Sequence, residues 1–362
     1  MLTLSENIHL SNKKIEAIFH DGKKSAEAVK LVYMQDNQPG IKRIKRGKNF
    51  TYVLGQKKIK DEASLSRIKK LVIPPAWENV WICSLENGHL QATGLDAKHR
   101  KQYRYHPLWN SLRNHTKFYR LHQFGKSIPV IRRQLEKDMH RTGLPLEKVL
   151  ATVVLLMEKT NIRVGNNMYE KLNDSYGLTT LKDKHVNING KNIRFSFKGK
   201  KGVLHDISIK SKRLADIVKK CKDIPGKELF QYIDENGDHK CIDSGMVNHY
   251  LKSISGEDFT AKDFRTWAGT VHSLIAFKSL GICDKENDIK KNIVTTLDTV
   301  AKHLGNTRTV CKKYYVHPLI ISLYETKKLQ GYFEELDKLK TSSHEDLSCE
   351  EKILMKILEQ ES

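Results

Sequence analysis

The sequence predicts an α+β protein: a small N-terminal antiparallel β-sheet domain, then a larger, mainly α-helical domain carrying a β-hairpin and three-stranded insertion. Three observations predict this. Short β-like runs separated by turn residues fill residues 30–109, apolar positions at helical spacing take over from about residue 110, and an Asn-Gly turn between alternating strands interrupts the helices at Asn189-Gly190. A chain of 362 residues can bury a full core and supports two or three domains.

Residues 1–29 are polar and weakly patterned, a loose extension or short helix. In the β-rich stretch 30–109, Val32-Tyr33-Met34 and Phe50-Thr51-Tyr52-Val53-Leu54 are strand candidates, with Gln38-Pro39-Gly40 a turn and Gly55 a stop. Val80-Trp81-Ile82-Cys83 and His89-Leu90-Gln91-Ala92-Thr93 flank Glu86-Asn87-Gly88, a hairpin signal. In the helical stretch 110–333, Asn110–Gly125 and Ile128–Thr142 read as two helices. Leu146–Lys159 places Val149, Leu150, Val153, Val154 and Met157 on one face. The insertion follows: His185–Ile188, the turn at Asn189-Gly190, Ile193–Phe197, a second turn over residues 198–202, then Val203–Ile209. Thr260-Ala261-Lys262-Asp263 has the form of a capping box ahead of a helix through about Leu280, and Asp288–Leu304 is a helix stopped by Gly305. Residues 334–362 form an acidic tail, expected to be loose or a solvated helix.

The formal charge of +22 is unevenly spread. Glu334–Ser362 holds nine acids and four bases, so residues 1–333 carry +27. Eleven bases against two acids fall between Ile41 and Lys70 alone. Such a field favours a polyanion and makes its binding salt-dependent, which points to nucleic acid. Six scattered cysteines, with no CxxC pair, offer neither a zinc knuckle nor a disulfide framework and fit reduced thiols. The N-terminus lacks the apolar core of a signal peptide, and no apolar run approaches membrane-spanning length. A cytoplasmic, nucleoid-associated protein is expected.

The chemistry concentrates near the end of the helical stretch. Tyr315 is preceded by Lys312 and Lys313 and, nine residues earlier, by the amide of Asn306. A phenol so placed suits nucleophilic attack on a phosphodiester, since cationic neighbours favour the phenolate. The departing 5′ oxygen needs a proton, and Lys200 sits at a hairpin tip that can deliver one. Arginines suit the non-bridging oxygens because their planar fork matches phosphate. Spacing does not select those arginines from 64 Lys and Arg.

Longer motifs do. They include Ile73-Pro74-Pro75-Ala76-Trp77, Gly88-His89-Leu90-Gln91-Ala92-Thr93-Gly94 and Lys101-Gln102-Tyr103-Arg104-Tyr105-His106-Pro107. Further on come Ile162-Arg163-Val164-Gly165-Asn166, Ser175-Tyr176-Gly177-Leu178-Thr179-Thr180-Leu181, and the run from Asp258 through Lys262-Asp263-Phe264-Arg265-Thr266-Trp267 to Thr270. On these the chain, from about Val29 to Tyr332, closely resembles the type IB DNA topoisomerases of the bacterial and poxviral kind. Their catalytic domain is built like that of tyrosine recombinases. The resemblance implies a catalytic set of Arg163, Lys200, Arg265, Asn306 and Tyr315, with no metal and no cofactor. It places the nucleophile on Tyr315 because that residue just precedes Val316-His317-Pro318; Tyr314 is expected to pack or contact DNA. The position of Asn306 is a histidine in poxviral members. An amide can donate a hydrogen bond to phosphate there but supplies no charge. Arg308 stands where proline is common.

The resemblance further implies that residues 30–109 form a DNA-clamp domain and that Gln102, Tyr103, Tyr105, Tyr169 and Lys262 contact DNA, with Lys262 assisting proton delivery beside Arg265. The implied activity is relaxation of supercoiled duplex DNA by a monomer, through transient single-strand cleavage, a 3′-phosphotyrosyl link, strand rotation and religation without ATP. Two other readings are weaker. A tyrosine site-specific recombinase usually carries histidine where Lys262 stands, and an architectural DNA-binding protein would need the charge but not the five competent residues.

Overall fold

In the computed structural model, residues 17–18, 21–47, 49–340, 343 and 345–360 are described; the expectation for residues 1–16 lies outside them. The chain divides into two compact units, residues 1–119 and 120–362.

The first unit opens with α1 (Gly22–Ala28), capped by the Asp21 carboxylate, which accepts from the Lys23 and Lys24 amides. A six-stranded antiparallel sheet follows, built from β1 (Ile41–Arg46), β2 (Asn49–Leu54), β3 (Lys57–Lys58), β4 (Glu78–Ile82), β5 (Leu90–Leu95) and β6 (Lys101–Tyr105) in the spatial order β3-β2-β1-β4-β5-β6. Helix α2 (Glu62–Lys70) buries Ile68 with Ile41, Val80, Ile82 and Ala92 of the sheet. The expected strand at Val32–Met34 is only a single bridge, Val32 to Gly88. Its neighbour Leu31 instead packs with Ala26, Val29 and Trp109.

Helix α3 (Pro107–Met139) runs across the division between units. It replaces the two shorter helices expected there. Phe124, Ile128, Ile131 and Leu135 form one buried stripe, and that continuous burial carries the helix through Pro129 despite the missing backbone donor. Gly125 does not end it; the missing side chain admits Met355 and Trp267.

In the second unit α4 (Leu146–Thr160) is the core helix, closed by Asn161 in the left-handed conformation. After α5 (Asn167–Asn173) come β7 (Val186–Asn189), β8 (Asn192–Lys198) and β9 (Leu204–Lys210), an antiparallel sheet in that order, joined between β8 and β9 by a tight turn at Lys200–Gly202. Phe195 and Phe197 face inward and pair with Ile207 and His205. Then follow α6 (Lys212–Lys222), the small pair β10 (Gln231–Ile233) and β11 (His239–Cys241), α7 (Ser244–Ser255), α8 (Ala261–Leu280), α9 (Glu286–Leu304), α10 (Arg308–Tyr314), α11 (Pro318–Glu325), α12 (Leu329–Lys338) and α13 (Cys349–Gln360). The capping box forms: the Asp263 carboxylate accepts from the Thr260 amide at 2.8 Å.

The acidic tail is not solvated over its last helix. Helix α13 buries Ile353, Leu354, Ile357 and Leu358. Its buried Glu351 accepts both terminal nitrogens of Arg132, at 2.9 Å each, and the indole of Trp267 at 2.8 Å. The negative charge that read as a solvated face is in part a buried, fully bonded partner for α3 and α8. No described helix is long and apolar enough to cross a membrane.

Candidate active site

Four of the five residues expected to be catalytic meet where α4, α8, α9 and α10 converge. Arg163 stands in the loop after α4. Its carbonyl and that of Val164 accept from the amides of Leu178 and Thr179. Gly165 has φ +108, and Gly177 lies so close that a Cβ there would fall 2.6 Å from the Arg163 carbonyl oxygen. This clasp aims the guanidinium at the end of α9, where Arg163 donates to the Gly305 carbonyl at 3.2 Å and to Asn306 Oδ1 at 2.8 Å.

Arg265 lies on α8 and is only 5% exposed. It donates to the carbonyl of Asn161 and, at 2.6 Å, to that of Leu304. Its guanidinium carbon is 5.3 Å from the centre of the Tyr315 ring. Tyr315 follows α10 directly, its amide donating to the Cys311 carbonyl at 2.9 Å. Its backbone rests on α8 one turn beyond Arg265, where Gly269 has no side chain to obstruct it: a Cβ there would sit 2.5 Å from the Tyr315 carbonyl oxygen. Thr270 completes the seat, donating to that carbonyl and accepting from the His317 amide.

Two donors in this cluster are buried without an acceptor, Arg265 Nε and Asn306 Nδ2. Because Asn306 Oδ1 is taken by Arg163, its amide nitrogen is the group left without an acceptor. Burial pulls Arg163 down to about 10, helped by the neighbouring Arg265 charge, and burial likewise lowers Arg265. At about 10, Arg163 stays protonated near neutrality. Two desolvated like charges and two unsatisfied donors around one phenol make a site that an anion would relieve.

Lys200 is not part of this cluster. It is exposed on the β8–β9 turn, with its ammonium 5.3 Å from the ring centre of Tyr169 on α5. Tyr169, expected on DNA, is thus also a neighbour of the lysine. Lys312 and Lys313 are exposed, and Lys313 lies over the Tyr314 ring, whereas Arg265 and Arg163 are cations that interact with Tyr315. Lys262 is exposed on α8, whereas Arg265 is buried. Arg308 is held bidentately by Asp298 at 2.7 and 2.6 Å. In the first unit Tyr103 and Tyr105 are exposed and stacked on β6 at 5.9 Å, while Gln102 donates to Asp96.

Sequence reasoning missed Asn161, whose carbonyl holds Arg265, and two histidines. His272 stacks on His303 at 4.5 Å and lies 3.3 Å from the Asn161 side-chain amide. His205 stacks on Phe197 at 5.0 Å. Its position in the inward phase of β9, with Ile207 and Ile209, was the available signal.

A family model for the eukaryotic DNA topoisomerase I catalytic core matches residues 100–343, and one for the bacterial DNA topoisomerase IB N-terminal domain matches residues 49–96. The chain is 35% identical over 294 residues to the DNA topoisomerase 1B of Acanthamoeba polyphaga mimivirus, covering 79% of this chain and 88% of that protein. It is 28% identical over 261 residues to the DNA topoisomerase 1B of vaccinia virus (strain Copenhagen), covering 69% and 77%. These matches do not favour the recombinase alternative. With the catalytic-core model matching two thirds of the chain and a bacterial N-terminal model ahead of it, the chain belongs to the type IB DNA topoisomerases.

Proposed function

We propose that this topoisomerase relaxes duplex DNA with Tyr315 as nucleophile, Arg163, Arg265 and Asn306 as the phosphate-holding donors, and Lys200 as general acid. The convergence of Tyr315 with buried, unsatisfied donors on Arg265 and Asn306 carries this reading. The Tyr315 oxygen attacks phosphorus as its proton leaves to solvent. The bond from phosphorus to the 5′ oxygen breaks, and Lys200 gives that oxygen a proton. The 3′ phosphate is then esterified to tyrosine. Charge growing on the non-bridging oxygens is met by guanidinium and amide donors already fixed in place. After the 5′-hydroxyl end has rotated, it attacks the phosphotyrosine, returns its proton to Lys200 and expels the phenolate. The ester conserves the bond energy, so religation needs no ATP.

In this reading the β-rich unit is the clamp domain, with Tyr103 and Tyr105 reaching DNA, and Tyr169 and Lys262 contribute contacts from the helical unit. Gln102 can contribute its amide oxygen and second N–H while donating to Asp96. The enzyme acts as a monomer on the nucleoid. The test is relaxation of negatively supercoiled plasmid in EDTA without ATP. Wild type is expected to relax it and to yield a covalent protein–DNA adduct on denaturation. Tyr315→Phe is expected to bind DNA and do neither, and relaxation by that variant would move the nucleophile elsewhere.

A further inference from the structure

One imidazole touches both halves of the proposed site. His205 is the second residue of β9, directly across from Phe197, and its ring is pressed between two glycines. A Cβ on Gly199 would lie 2.6 Å from His205 Nε2 and Cδ2, and a Cβ on Gly305 would lie 2.6 Å from its Cε1. Gly199 precedes Lys200. The turn bearing that lysine is closed by the Gly199 amide donating to the Val203 carbonyl at 2.7 Å and the Gly202 amide donating to the Gly199 carbonyl at 3.1 Å. Gly305 precedes Asn306, and its carbonyl accepts from Arg163. The ring therefore occupies space that any side chain at either glycine would take.

We infer that His205 is a positioning residue that sets the distance between the Lys200 turn and the Arg163–Asn306 corner, and so controls proton delivery to the leaving 5′ oxygen. The inference rests on the roles proposed above for Lys200 and Arg163. Burial, and then the charges of Arg163 and Arg265, lower the pKa of His205. The ring accordingly serves as a neutral spacer rather than as an acid. Phe197 fixes its tilt from the other side, and an aromatic chain through His185 to Tyr176 extends that support. A spacer acts by geometry, and misplacement of a catalytic group by about 1 Å can cost up to about 100-fold in rate.

The experiment is single-turnover cleavage of a duplex bearing a site that wild type cuts, made once with the normal 5′ oxygen and once with a bridging 5′ sulfur. A thiolate leaves without a proton, so only defects in proton delivery are repaired by sulfur. His205→Ala is expected to slow the oxygen substrate about 10- to 100-fold and to cleave the sulfur substrate near the wild-type rate. Gly199→Ala approaches the same contact from the lysine side at a backbone φ of −93, where alanine is unstrained, and is expected to behave alike; it carries the test if His205→Ala does not fold. Slow cleavage of both substrates, or no slowing of either, overturns the proposal. Lys200→Ala is the control. If sulfur does not restore it, the lysine assignment itself falls, and any role of His205 through that lysine falls with it.

Discussion

Arg265 and Lys200 carry the same charge toward the same proposed phosphate, yet the fold treats them oppositely. Arg265 is buried on a central helix and bonded to two backbone carbonyls. Lys200 is exposed on a tight turn, against an aromatic ring. A group that stabilises charge without moving gains from being fixed beforehand, because it costs no reorganisation when the charge appears. A group that hands over a proton and takes it back needs solvent contact and a short reach. The fold spends desolvation on the first and leaves the second hydrated.

The largest expected effect breaks the support under the buried half. Glu351 holds Arg132 and Trp267, and Trp267 is two residues from Arg265 on α8. Glu351→Ala leaves Arg132 buried with one fewer carboxylate and is expected to cost about 3–5 kcal/mol by denaturant titration. Next, Arg265→Ala should reduce the cleavage rate about 10²–10³-fold with plasmid binding largely kept. Arg265→Lys should not restore it, because a point charge cannot reach two carbonyls and a phosphate. A lysine variant near wild-type rate would mean that charge alone matters there.

Acidification sharpens the contrast. Burial, and then the His303 charge, hold His272 down to about 4, against an ordinary 6.5. Between those values the unfolded chain binds a proton that the native state refuses. Stability is therefore complete above about pH 6.5 and is lost as pH falls toward 4. His89, His106, His185 and His205 are lowered in the same direction, chiefly by burial. The melting temperature should be level above neutrality and fall below pH 6.5, and His272→Gln should flatten part of that fall. A melting temperature that rises on acidification would refute the assignment.

The smallest effect is expected on the exposed half. Tyr169→Ala removes the ring beside Lys200, a contact of about 0.5–1 kcal/mol at an exposed site, so cleavage should change only a few-fold. A change as large as that for Arg265→Ala would show that the lysine is held as firmly as the arginine.

The sequence by itself determined the class of fold, the three strands of the insertion and the capped helix at Thr260, because these depend on local spacing; the residues of the proposed site were named by the resemblance that motifs contiguous in the chain carry. It misjudged whatever depended on distant partners. Residues 110–142 read as two helices broken between Gly125 and Ile128 until Phe124, Ile128 and Ile131 are seen buried in one stripe, and the acidic tail reads as solvated until Arg132 and Trp267 are found beneath Glu351. Val32 alternates like a strand but has only one bridge. The site followed the same rule. Arg163, Arg265 and Tyr315 could be named from the chain, but the Asn161 carbonyl that holds Arg265, the Gly269 gap that seats Tyr315 and the His205 ring between Gly199 and Gly305 could not. Their roles are contacts between segments up to about a hundred residues apart. Side-chain type is written locally, whereas which polar group is left unsatisfied, and which glycine is approached, is decided only when those segments pack.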